Sequence, residues 1–140
     1  MRAAVGRLFL AIVVTWAVPV SAQESLARVA EAAQGALERH EPAMLIGRSP
    51  RLLVQLPAAD PSAQVDRAQA VALLQGFLRG TEEVETLIRA ARAVAPERGY
   101  VELARRFRVV GTAEIRRQKV LLSYRRRGEG WELVELRVSG

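Results

Sequence analysis

The chain has 140 residues, 21 lysines and arginines against 15 aspartates and glutamates, one histidine and no cysteine. That length allows one domain, and the missing thiols exclude disulfide scaffolds, thiolate metal sites, iron–sulfur clusters and cysteine nucleophiles. A lone His40 makes a polyhistidine metal site implausible within one chain and offers only one base for a Ser–His relay, while the 50% hydrophobic content is that of a globular chain.

The first segment has the pattern of an export signal. Arg2 and Arg7 flank its start, Leu8 to Val20 carries no charge, and Val20-Ser21-Ala22 stands before Gln23. A positive start, an apolar stretch and small residues ahead of a cut site are the marks of a secretory leader. The expectation is a cleaved leader over 1–22, cut between Ala22 and Gln23. A single soluble domain over 23–140 would then be periplasmic or secreted. A membrane anchor is the weaker reading, because Leu8 to Ala22 is 15 residues interrupted by Pro19, and a span needs about 17–25.

Leu26, Val29, Ala30, Ala33 and Leu37 share one helical stripe, which predicts a helix over 25–39 with Ser25 as its N-cap and Pro42 as its stop. Arg51 to Leu56 is a short β-prone run between Pro50 and Pro57, and the proline-rich stretch 57–62 is a loop. Asp66 opens a second helix with Gln69 placed for a capping box, and Gly80 supplies its stop. Val71, Leu74, Phe77 and Leu78 give its buried side, flanked by Leu73.

Residues 81–95 support two readings. Val84, Leu87, Ile88, Ala91 and Val94 have helical spacing, yet Val84, Thr86, Ile88 and Ala90 alternate as in a strand; local signals favour the helix. From Tyr100 onward the pattern is β. Val101, Leu103, Phe107 and Val109 share a face, as do Val120, Leu122 and Tyr124. Gly128-Glu129-Gly130 then turns the chain into a strand whose Val134, Leu136 and Val138 share the inner face.

The helix Ala68-Gln-Ala-Val-Ala-Leu-Leu-Gln-Gly-Phe-Leu78, the Gly111-Thr112 pair and the ending Lys119 to Val138, with its basic turn, Trp131 and Leu-Arg-Val, resemble the nuclear transport factor 2-like superfamily. The likeness is nearest to its small secreted bacterial domains of unknown function. It implies an α+β fold in which N-terminal helices pack on a curved, cone-like antiparallel sheet of about four strands. It also implies a strand near 84–93, hairpinned through Pro96-Glu97-Arg98-Gly99, against the local helix reading. Leu78 stands where these proteins often have a second phenylalanine. The superfamily holds ketosteroid-isomerase-like and polyketide-cyclase-like enzymes acting through Asp, Tyr or His in the cone. No such constellation can be matched to these residues, so no catalytic residue, cofactor or metal is carried over.

Among polar residues, His40 ends the first helix as a solvated residue favourable to its dipole. Arg105 shares the inward face of Leu103 and Phe107, and Glu132 that of Val134 and Leu136. An inward charge is costly unless paired. Either a bulge or strand end turns Arg105 outward, the simpler reading, or Arg105 and Glu132 form a polar pair at a pocket mouth. Trp131 and Tyr124 are expected in hairpin and core packing. Asp60, Asp66, Glu82, Glu83 and Glu85 identify no acid–base pair. Nine basic residues against Glu114 alone fall between Arg105 and Arg127. Beyond Arg105 these are Arg106, Arg108, Arg116, Arg117, Lys119, Arg125, Arg126 and Arg127, a candidate patch for an anionic surface. Without exposed aromatics beside it, nucleic acid is not expected. The functional expectation is an exported, non-enzymatic binding or interaction domain, perceiving an unknown protein or small apolar ligand, with a homodimer through the sheet face as one arrangement. A cone-pocket enzyme and an envelope protein docking anionic surfaces are the alternatives.

Overall fold

The computed structural model describes residues 20–60 and 63–140. Two helices, α1 (Val20–Glu38) and α2 (Pro42–Ile46), lead into the short strands β1 (Arg51–Gln55) and β2 (Val65–Asp66) and a third helix, α3 (Arg67–Leu78). Four long strands follow: β3 (Thr81–Ala95), β4 (Arg98–Val109), β5 (Ile115–Arg127) and β6 (Gly130–Ser139). The leader reading lies outside the described residues up to residue 19. Val20, Ser21 and Ala22 belong to α1, so Ser25 is a helix-interior residue and not a cap.

The α+β class holds, but the sheet has six strands in the order β2-β1-β6-β5-β4-β3, not about four. It is also mixed: β1 runs parallel to β6 with Val54 opposite Leu136, while every other pair is antiparallel. The five-residue β1 matches the β-prone run 51–56, whereas the two-residue β2 and a parallel partner distant in sequence leave no local signal.

Pro42 does more than end α1. It sits in the first turn of α2, where its missing N–H is no loss and its fixed φ suits the helix. Between the two helices His40 takes a left-handed φ of 52°. The apolar stripe of α1, Leu26, Ala30, Ala33 and Leu37, is buried as its spacing requires, joined by Ala22 and Ala36.

α3 begins as its sequence predicts. The Asp66 carboxylate accepts from Gln69 N at 2.8 Å, and the Gln69 side chain accepts from Asp66 N at 3.1 Å. Asp66→Ala should lower stability by about 1 kcal/mol, read as a lower urea midpoint at unchanged slope.

Residues 81–95 form a strand, overriding the local helical spacing. Hydrogen-bonded pairing with β4 from Thr81↔Val109 to Ala95↔Arg98 decides the matter, and three register shifts, between 83 and 85, 88 and 90, and 93 and 95, bend the strand. The core lies between the helices and the concave face, built from Val101, Leu103, Val120, Leu122 and Leu136 against Leu26, Leu74 and Leu78. Helix and sheet approach closely at one point: a Cβ on Gly99 would stand 2.8 Å from Leu26 Cδ2. Only a glycine lets α1 settle there.

A bulge also reshapes β6. Ser123 faces Glu135 but Tyr124 faces Leu133, so Val134 is the extra residue. An inserted residue inverts the faces beyond it. Leu133 therefore points into the core with Leu136 and Val138, in place of Val134.

Candidate functional site

The β4–β5 register runs from Arg98↔Arg125 to Arg108↔Ile115 without a shift. No bulge is available to turn Arg105 out, so its side chain enters the core between Leu103 and Phe107, and the residue is 1% exposed. This corrects the outward reading. Its partner is not Glu132 but Glu83. The shift between Glu83 and Glu85 on β3 makes Val84 the extra residue and directs the Glu83 carboxylate inward, its side chain 5% exposed.

The pair anchors a polar cluster at one end of the core. Arg105 Nη2 donates to Glu83 Oε1 and to Thr81 Oγ1, the latter at 3.2 Å, and Arg105 Nη1 donates to Gln118 Oε1 at 3.3 Å. Thr86 Oγ1 donates to Glu83 Oε2 at 3.1 Å, so both carboxylate oxygens are engaged. The guanidinium lies over the Phe107 ring at 4.2 Å and near that of Phe77 at 5.5 Å. Burial presses the Arg105 pKa below its ordinary value, while the charge and hydrogen bond of Glu83 oppose that shift. Arginine's intrinsic basicity keeps it a cation.

His40 also reaches the cluster, with Nε2 at 3.0 Å from Glu83 Oε1. It is therefore not a freely solvated helix-end residue. The left-handed turn after α1 swings its ring toward β3, leaving the side chain 26% exposed and in a shallow depression with Pro42, Gln75 and Arg79. From sequence alone His40 reads as solvated and Glu83 as one of several ordinary acids, and neither is brought to Arg105. The available signal was the inward parity of Arg105, which demands an acid on a neighbouring strand, but choosing it required the β3 register.

Glu132 faces outward, turned by the β6 bulge, and takes Arg127 at 3.2 Å and Arg125 at 3.7 Å. The basic segment is likewise threaded with acids, most of them from neighbouring strands and one, Glu114, from the loop before β5. Arg106 pairs with Glu85 at 3.1 Å, Arg108 with Glu82 at 3.6 Å, Lys119 with Glu102 at 3.3 Å and Arg116 with Glu114 at 2.8 Å. Arg126 lies 5.6 Å from the Trp131 ring centre. Arg117 has no ion-pair partner among the described residues. Such exposed pairs contribute little stability each, but they divide the patch into short neutralised ladders.

Ala22 is buried, and the Gln23 amide clamps β3, donating to Ala91 O at 2.7 Å and accepting from Ala93 N at 3.0 Å. Tyr124 is buried in the core, and burial raises its pKa so that the phenol stays neutral. Among the described residues no group of three His, Asp or Glu side chains is placed to hold a metal, and no helix is long and apolar enough to cross a membrane. Two concavities, of about 520 and 640 Å³, open on the surface, and another, of about 470 Å³, lies between the helices and the β5–β6 hairpin, lined by the core residues Ala33, Leu45, Ile46, Tyr124 and Leu133 and by Trp131.

No family model and no curated protein matches the chain. Solved structures do. A ketosteroid isomerase-like protein from Erwinia carotovora atroseptica superposes with a TM-score of 0.68 at 13% identity, over 84% of this chain and 94% of that one. A domain of unknown function with a cystatin-like fold from Nostoc punctiforme gives 0.67 at 16% identity, over 86% and 78%. An NTF-2-like protein of unknown function from Shewanella oneidensis gives 0.59 at 9% identity, over 84% and 98%. At these identities the likeness is one of fold: the chain has the nuclear transport factor 2-like, cystatin-like α+β architecture.

Proposed function

We propose that this chain is an exported, non-enzymatic binding domain that takes its ligand at the surface. The observation that carries this reading is the engaged state of the buried Glu83–Arg105 cluster. Arg105 packs against Phe77 and Phe107, and Glu83, its side chain 5% exposed, has both carboxylate oxygens engaged by protein groups. A general base must come within reach of a substrate proton, and these groups wall Glu83 off from solvent. Export rests on the charge and apolar pattern of residues 1–22.

One observation favours an enzyme as the second reading. The His40–Glu83 contact joins a partly exposed imidazole to a buried carboxylate, the pairing that orients a general base, and a ketosteroid isomerase-like protein shares the fold. Native mass spectrometry of the protein expressed with its own leader and recovered from the periplasm separates the two. The expected species is residues 23–140, carrying any retained ligand unchanged, with the same ligand retained by His40→Ala. Conversion of that ligand by the wild type but not by His40→Ala would overturn the binding reading. An uncleaved cytoplasmic protein would overturn export.

A further inference from the structure

The outer face of the sheet carries a basic groove lined by residues of β3, β4 and β5. The β4–β5 register sets Arg106 directly opposite Arg117 and Ala104 opposite Lys119. On the other side, β3 sets Glu85 opposite Arg106 and Leu87 opposite Ala104, with Arg89 as the extra residue of a bulge. These side chains line a concavity of about 520 Å³, which the main chain near Ser139 and Gly140 closes at one end. Its volume lies in the range of small-molecule sites.

Like charges directly opposite each other in a sheet repel. Here five basic residues, Arg89, Arg105, Arg106, Arg117 and Lys119, line one groove with Glu85 as its one side-chain carboxylate, and of the five only Arg105 is turned into the core. Glu85 answers Arg106 Nη1, and Glu102 answers Lys119 from outside the groove. Arg89 and Arg117 have no ion-pair partner among the described residues, and Arg106 Nε is enclosed without a hydrogen-bond acceptor. The groove therefore lacks an acceptor with more than one negative charge. Leu87 and Ala104 offer an apolar surface beside it.

We propose that this groove binds a phosphate monoester carried on an apolar stem. The phosphate, with a charge of about −1.5 to −2 at neutral pH and three acceptor oxygens, would sit between Arg106 and Arg117 and accept from their exposed guanidinium N–H groups. The stem would lie along Leu87 and Ala104. A carboxylate brings half the charge and fewer acceptors. The proposal rests on the binding reading and gives its ligand a chemistry.

The test is titration calorimetry of the full chain with octyl phosphate, inorganic phosphate and uncharged octyl glucoside. Octyl phosphate should bind more tightly than either control, since each control lacks one half of the recognised group. Arg117→Ser should weaken it by at least about tenfold, Arg117→Lys should give an intermediate loss, and circular dichroism should show both variants folded, because the side chain is exposed. Flotation with vesicles containing phosphatidic acid identifies the source: co-flotation points to a membrane headgroup, and binding of octyl phosphate without it to a free amphiphile. Octyl phosphate binding no better than octyl glucoside, or equally in Arg117→Ser, would sink the groove. A dimer formed through this face that octyl phosphate neither dissociates nor enters would do the same. None of these outcomes touches the non-enzymatic reading; release of octanol and inorganic phosphate would end that reading and leave the groove.

Discussion

Replacing Glu83 by leucine should cost the fold about 3–5 kcal/mol, because it strands the Arg105 guanidinium inside the core. A large part of a stability that for a domain of this size is about 5–15 kcal/mol would go with one side chain. The loss comes from the uncompensated cation and not from the worth of the pair itself. Thr81 and Gln118 would still accept from Arg105, but neither carries charge. Adding Arg105→Met to Glu83→Leu should therefore recover most of the loss, since an apolar pair of similar volume can replace a buried ion pair at little cost. Arg105→Met alone should fall between, because Glu83 keeps His40 and Thr86 as partners. Urea unfolding of the four proteins checks the order. A Glu83→Leu loss below about 1 kcal/mol would mean that Arg105 reaches water.

Leu26→Ala should cost about 2–5 kcal/mol, the range for emptying a buried leucine site that collapses only in part. Collapse is limited because the sheet backbone at Gly99 already lies against Leu26 and carries no side chain to move into the space. The same geometry predicts coupling. In the wild type Gly99→Ala should cost about 1–3 kcal/mol, since its Cβ would meet Leu26 Cδ2 at 2.8 Å and Arg92 O at 3.3 Å. In the Leu26→Ala background the new methyl has room, and Gly99→Ala should become neutral or stabilising. A double-mutant cycle measures the interaction; simple additivity would show that helix and sheet stand further apart than described.

What the sequence disclosed depended on whether the deciding interaction was local. The Asp66–Gln69 box lies within one turn, and the turn at Gly128 joins adjacent strands, so both were legible. The inward parity of Arg105 was legible too, from unbroken alternation along β4. Its partner was not, because Val84 on β3 and Val134 on β6 each add one residue to a strand. One extra residue exchanges inside and outside for every position beyond it and leaves no compositional mark. The first insertion sends Glu83 in, and the second sends Glu132 out. The density of arginines between 105 and 127 was legible, but the acids that answer most of them come from β3, β4 and β6, and only the strand order brings those together. Residues 81–95 were helical by spacing and a strand by pairing, and a full-length antiparallel partner outweighs local preference.

The parallel seating of β1 against β6 has a temporal consequence. Its partners, Leu53 and Glu135 at one end, are 82 positions apart, and the ribosome adds about 5–20 residues per second. For several seconds after β1 has been made, the edge it must join does not exist. The hairpins from β3 to β6 close over short loops and can assemble as they appear, whereas α1 and β1 wait with Leu26, Leu52 and Val54 uncovered. Any factor that holds the nascent chain open has that interval in which to act, and it ends only when Gly130–Ser139 arrives.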